Sequence, residues 1–252
     1  MIHALHGNAG LPDDLLPLLR AVGQPFHAWH LWRTLSDHPE TASLAGFAAH
    51  LNAFAAREAH RPRILLGYSL GARLALHALT QQPQLWDAAI LLSVHPGLTT
   101  AEARAARLPQ DQSWAGRFLR EPWSDVMTAW NAQAVFRSAT FQFRVERADR
   151  PLDFGKSSDI KSWREQIALG FDVWSLGRQD DLRPLLPSVH CPVLFLTGVR
   201  DEKFTALAAG GCALMPHAHH IIIPGAGHRT HLDQPGIVSV EVARFLRDSC
   251  PA

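Results

Sequence analysis

The sequence predicts an α/β fold built on a mostly parallel sheet, and three observations carry that expectation. Short apolar runs alternate with stretches of helical periodicity along the chain. The runs are apolar throughout rather than at every second residue, as strands covered on both faces are. Length sets the scale, because 252 residues fit one large domain carrying a substantial insertion.

Six strands are expected, at residues 2–5, 26–32, 63–67, 88–93, 192–197 and 219–223. A helix is expected over 41–60, where Leu44, Phe47, Ala48, Leu51, Phe54 and Ala55 recur at three- and four-residue intervals. Another follows the third strand over 72–80. A third covers 238–247, with Val238, Val242, Phe245 and Leu246 on one face. Between about 97 and 187 the alternation stops. That stretch has no strand pattern and holds Trp114, Trp123, Trp130, Trp163 and Trp174, and helical patterns begin near Thr100, Ser113, Ser124 and Ser158. The expected organisation is a core of residues 1–96 and 188–252 interrupted by a helical cap at 97–187.

Composition excludes several classes. Lys+Arg 24 against Asp+Glu 23 leaves a net charge of +1, so no long-range field points to nucleic acid or an anionic membrane. With 47% hydrophobic residues the chain is not disordered. It has no apolar run of membrane-spanning length and no basic, then apolar, leader, so a cytoplasmic protein is expected. Cys191, Cys212 and Cys250 show no Cys-x-x-Cys spacing, which argues against a disulfide framework or a zinc site. His217, His219 and His220 have no second ligand cluster and read as surface histidines. No metal or organic cofactor is expected. Only Lys156, Lys161 and Lys203 among the basic residues are lysines. The arginine excess suits planar carboxylate recognition, and a GC-rich coding sequence would also produce it.

The strongest chemical signal is Gly67-Tyr68-Ser69-Leu70-Gly71. The strand before it and the helix after it make it a nucleophile elbow, a sharp turn that exposes a serine at the carboxyl edge of the sheet. A serine of this kind needs an acid and then a histidine further along the chain. Asp201 follows the fifth strand and His228 follows the sixth through Pro-Gly-Ala-Gly, both at that same edge. Asp201 would orient the imidazole of His228, which would accept the Ser69 proton. Glu202 could stand in for Asp201, and His231 is the rival histidine. The oxyanion hole should combine the backbone N–H of Leu70 with that of Asn8, in the loop Leu5-His6-Gly7-Asn8-Ala9-Gly10 after the first strand.

Together, Leu5-His6-Gly7, the elbow, the Asp201 turn and Gly227-His228 resemble the α/β-hydrolase superfamily across nearly the whole chain. The resemblance implies a sheet lacking the first two strands of the full fold. A narrower likeness lies in Gly67-Tyr68-Ser69-Leu70-Gly71-Ala72-Arg73-Leu74-Ala75, His95-Pro96-Gly97-Leu98, Arg104 with Arg107, and Asp201-Glu202-Lys203-Phe204. These elements are similar to the 2-succinyl-6-hydroxy-2,4-cyclohexadiene-1-carboxylate synthases of menaquinone biosynthesis. That resemblance implies elimination of pyruvate from a polycarboxylate cyclohexene, with Ser69 as a proton-abstracting base. It also implies a small anionic substrate bound by Tyr68, Arg73, Arg107 and Trp130. A further basic residue from the middle of the cap is implied, for which Arg150, Lys156 and Arg164 are the candidates. The sequence departs from the family at Gly71-Ala72, where two glycines are usual, and after the second strand, where an Asp-x-Pro-Gly-His-Gly turn is missing. The alternative reading is a serine hydrolase, cleaving an ester, a thioester or a carbon–carbon bond of a small carboxylate through an acyl-enzyme.

Overall fold

A computed structural model describes residues 1–136 and 160–250 of the chain. Six strands form one sheet: β1 (Ile2–Leu5), β2 (Phe26–Trp29), β3 (Ile64–Tyr68), β4 (Ala88–Leu92), β5 (Val193–Gly198) and β6 (Ala218–Ile223). Their order is β2-β1-β3-β4-β5-β6, and every pairing is parallel. The ten α-helices among the described residues are α1 (Leu16–Val22), α2 (Leu31–Asp37), α3 (Leu44–Arg57), α4 (Leu70–Gln81), α5 (Ala101–Arg120), α6 (Trp123–Asn131), α7 (Ile160–Val173), α8 (Glu202–Cys212), α9 (Thr230–Asp233) and α10 (Pro235–Ser249).

Alternation within each apolar strand sends side chains to two separate cores. Ile2, Ala4, Ile64, Leu66, Ile90, Leu92, Leu194 and Leu196 face one side, against Leu15, Leu18 and Leu19 at α1 and Val238, Val242 and Phe245 of α10. Leu5, Leu65, Ala89, Leu91, Val193 and Phe195 face the other, against α3 and α4. This second core continues into the segment between β4 and β5 through Phe118, Val126, Trp130, Phe171 and Trp174. The tryptophans that stand out in the sequence therefore bury apolar area against the core.

The structure corrects several boundaries. The second strand ends at Trp29 rather than at 32, and Leu31 and Trp32 open α2 instead. His6 explains the switch: its Nε2 accepts the N–H of Leu31 and its Nδ1–H donates to Gly7 O, which satisfies a helix-start donor from the neighbouring loop. Helix α1 has no counterpart among the expected elements. The helix over 41–60 shortens to Leu44–Arg57, capped by Ser43 Oγ accepting from Gly46 N–H. Those over 72–80 and 238–247 lengthen to Leu70–Gln81 and Pro235–Ser249. The starts near Thr100 and Ser113 belong to one helix, which continues through Pro109. Asp111 supports it by accepting from Arg107 one turn back and from Ser175 Oγ. The pattern from Ser158 is α7, and no described helix is long and apolar enough to cross a membrane.

Two consequences can be tested. A Cβ on Gly71 would lie 2.1 Å from Leu5 O and 2.5 Å from His6 O, backbone atoms that cannot swing aside. Gly71→Ala should therefore cost about 3 kcal/mol of stability, read as a lower urea midpoint, and an unchanged midpoint would contradict the close approach of α4 to β1. Burial also holds His6 and His95 down to about 3 and His77 to about 4, so all three rings are neutral in the fold. Below the ordinary histidine pKa of 6.5 the unfolded chain binds the extra protons. Stability should then fall as the pH drops from about 6.5 toward 4, each ring contributing about 1.4 kcal/mol per pH unit. Unfolding midpoints that do not change between pH 7 and pH 5 would refute this.

Candidate active site

Five strand ends and the loops beyond them build the site. At the end of β3 the chain turns through Ser69 at φ 52° and ψ −109°, a left-handed conformation costly for a residue with a Cβ. Gly67 permits the turn, since a Cβ there would sit 2.5 Å from Ala72 Cα. Ala72, where the family has its second glycine, is fully buried.

Asp201 and His228 come from the loops after β5 and β6, which are bonded to each other. Arg200 N–H donates to Ala226 O at 3.0 Å, and Val199 N–H donates to Ile223 O. Gly198 lets them close: a Cβ there would meet Ala226 O and Gly227 O at 2.3 Å. Ser93, just past β4, donates from Oγ to His228 O at 3.0 Å. Asp233 Oδ2 accepts the Gly227 N–H at 2.8 Å. Held this way, His228 lies 2% exposed, with Nδ1 2.6 Å from Asp201 Oδ2 and Nε2 3.0 Å from Ser69 Oγ. A carboxylate only accepts, so Nδ1 carries the proton and Nε2 is left to accept from the serine hydroxyl. Glu202, by contrast, opens α8 and is exposed, and His231 packs its ring against Tyr68 with centroids 4.5 Å apart.

Ser69 and His228 open into a cavity of about 420 Å³. Asn8 and Leu70 line it, as the expected oxyanion groups would have to. Arg73, Arg107 and Trp130 line it too, whereas Tyr68 does not. The Tyr68 ring is buried beneath the elbow, in space that a Cβ on Gly7 would occupy at 2.5 Å from Cε1. Arg164 is also spent elsewhere: its guanidinium donates to the carbonyls of Phe118 and Glu121 at the end of α5. Arg150 and Lys156 fall outside the described residues.

The cavity holds groups that the sequence reading did not assign, chiefly His95, Lys203, Phe204 and Phe136. His95 and Lys203 had a signal, since each lies a few residues beyond the carboxyl end of a strand, where Ser69, Asp201 and His228 also lie. His95 Nδ1 accepts from Gly97 N–H, and burial and the cations Lys203 and Arg73 keep the ring neutral. The cations differ in how far they are compensated. Arg107 donates from Nε and Nη2 to Asp111 Oδ1 at 3.0 and 2.7 Å. Arg73, 9% exposed, donates only to neutral acceptors: Gln179 Oε1 at 2.5 Å and Trp174 O at 2.8 Å. Burial pushes its guanidinium down to about 9, which leaves it cationic at neutral pH. Lys203 has no carboxylate partner among the described residues. A larger cleft of about 650 Å³ around His77 and Asp181 contains none of these groups.

Comparisons with known proteins agree with this architecture. A family model described as the alpha/beta hydrolase family matches residues 4–241. A protein of Klebsiella pneumoniae named 2-succinyl-6-hydroxy-2,4-cyclohexadiene-1-carboxylate synthase is 34% identical, over 96% of this chain and 92% of its own length. A synthase of the same name from Salmonella arizonae is 35% identical, with the same coverage. Among solved structures, MenH from S. aureus superposes with a TM-score of 0.82 over 98% of this chain and 93% of its own, at 19% identity. The chain thus belongs to the alpha/beta hydrolase family and has relatives named 2-succinyl-6-hydroxy-2,4-cyclohexadiene-1-carboxylate synthase.

Proposed function

We propose that this chain is a carbon–oxygen lyase of the menaquinone pathway, releasing pyruvate from a polycarboxylate cyclohexene to leave 2-succinyl-6-hydroxy-2,4-cyclohexadiene-1-carboxylate. One observation carries the reading. A serine–histidine–aspartate hydrogen-bond chain opens into a cavity that also holds two cations with no carboxylate partner among the described residues. A cavity for apolar esters would gain nothing from such charges, least of all from Arg73, because a buried uncompensated cation is costly until an anion meets it.

In the proposed reaction, Arg73 and Lys203 hold carboxylates of the substrate, and Arg107, already bound to Asp111, adds a weaker field. Ser69 Oγ takes a proton from a ring carbon next to the succinyl carbonyl while its own proton passes to His228 Nε2. Asp201 stabilises the imidazolium. Negative charge then develops on the carbonyl oxygen, facing the N–H groups of Leu70 and Asn8 at the start of α4 and in the loop after β1. As that charge returns to the ring it forms the new double bond and breaks the carbon–oxygen bond. The electron pair leaves with the enolate of pyruvate, which takes the proton from His228. The described residues between 97 and 187 act as a cap over this face, a role supported by Arg107, Trp130, Phe136 and Leu176 lining the cavity. No step needs a metal or an organic cofactor.

The experiment gives purified protein the enolpyruvyl cyclohexene substrate and, separately, p-nitrophenyl esters, following pyruvate and nitrophenol. Pyruvate release that is lost in Ser69→Ala and unaffected by EDTA is expected. No pyruvate above background, together with brisk ester turnover lost in Ser69→Ala, would assign the site to a hydrolase instead. Arg73→Ala should raise KM by about thirtyfold or more, as loss of a buried charge-assisted contact does, and Lys203→Ala, at an exposed cation, should raise it by about two- to fivefold. An unchanged KM in either variant would remove that residue from carboxylate binding.

A further inference from the structure

We infer that Gln179 is a positioning residue, whose task is to aim the Arg73 guanidinium at the substrate without consuming its charge. The inference rests on the anionic substrate of the proposed function, and it names the group that makes Arg73 effective. Gln179 is fully buried. Its Oε1 accepts from Arg73 Nε at 2.5 Å, and its Nε2 donates to His95 O at 3.1 Å. Both ends of the amide are therefore used, which fixes its orientation and identifies the oxygen as the atom facing the arginine.

The backbone around Gln179 holds it in place. Leu182 N–H donates to Pro96 O at 2.8 Å, and Gly97 admits the carbonyl of Asp180, which a Cβ there would meet at 2.3 Å. The segment carrying Gln179 is thereby joined to the loop after β4, which also carries His95. A second neutral acceptor, Trp174 O, takes Arg73 Nη2 at 2.8 Å. Two of the three guanidinium nitrogens are thus occupied by uncharged groups, which set the plane of the fork.

Chemistry explains why an amide suits this position. A glutamate at 179 could accept the same hydrogen bond, but it would pair with the guanidinium and cancel the charge that attracts a carboxylate. Arg107 exemplifies that outcome, because Asp111 already holds two of its nitrogens. An apolar side chain at 179 would leave Arg73 Nε without a partner and free the side chain to rotate. A neutral acceptor orients the cation and leaves its field intact.

A double-mutant cycle tests this, with succinate as the probe ligand in calorimetry and the enolpyruvyl substrate in kinetics. The variants are Gln179→Met, Gln179→Glu, Arg73→Met and Arg73→Met with Gln179→Met. Gln179→Met should weaken succinate binding and raise KM, each by about tenfold, with kcat little changed. Gln179→Glu should do the same despite keeping the acceptor, and it remains informative if Gln179→Met fails to fold. In the Arg73→Met background, Gln179→Met should add nothing further. Additive losses, a fall in kcat at constant KM, or wild-type-like succinate affinity in Gln179→Glu would each overturn the inference. If the cycle holds with succinate while the wild-type protein releases no pyruvate, the reaction assignment fails and the role of Gln179 stands.

Discussion

The hydrogen bond between His228 and Asp201 is the constraint on which the rest of the site depends. It spans two loops, it is nearly sealed from water, and at 2.6 Å it is short for a charge-assisted contact. Depriving a buried ion of its partner costs about 3–5 kcal/mol, so the surrounding backbone must keep the two groups together. Gly198, the Arg200–Ala226 bond and the Ser93 hydroxyl all serve that purpose. On the other side Ser69 meets the imidazole only because the elbow holds it in a left-handed conformation. That strain depends on Gly67 and Gly71 allowing α4 to lie against the sheet.

Around this hydrogen-bond chain the cavity is organised by which charges are left unmatched. Arg107 and Asp111 compensate each other, and Ser175 holds the second oxygen of Asp111, so that pair acts as a brace within the segment between β4 and β5. Arg73 has only an amide and a carbonyl, and it stays charged at neutral pH. The neutral His95 ring adds a polar group without adding charge. Burying a cation in this way is unfavourable in the free protein and favourable once a carboxylate arrives. Under the proposed function, a preference for anions is therefore set by the fold before any ligand binds.

Much of this was legible in the sequence. The four inner strands stand out because both faces of each are buried, so hydrophobicity alone marks them. Ser69, Asp201 and His228 were visible because strand ends share one edge of a parallel sheet. Helix α2 is not legible in the sequence, since Leu31 and Trp32 are as apolar as the strand before them and the group that bonds the helix start is His6, 25 residues away. The family resemblance implies a substrate-binding role for Tyr68, yet side chains alternate across a strand, and this ring fills the space above Gly7. Gln179 left no local trace, because its importance comes from contacts with Arg73 and His95, more than 80 residues away.

A serine paired with a histidine in this way can serve either an acyl transfer or a proton abstraction, so the distinction lies in what Ser69 Oγ attacks. In this account the oxygen takes a proton and never forms a bond to carbon. The decisive measurement is intact-protein mass spectrometry on enzyme quenched during turnover of the enolpyruvyl substrate. The account predicts the unmodified mass at every time point while pyruvate accumulates. A substrate-derived adduct on Ser69 that forms and decays at the turnover rate would contradict it.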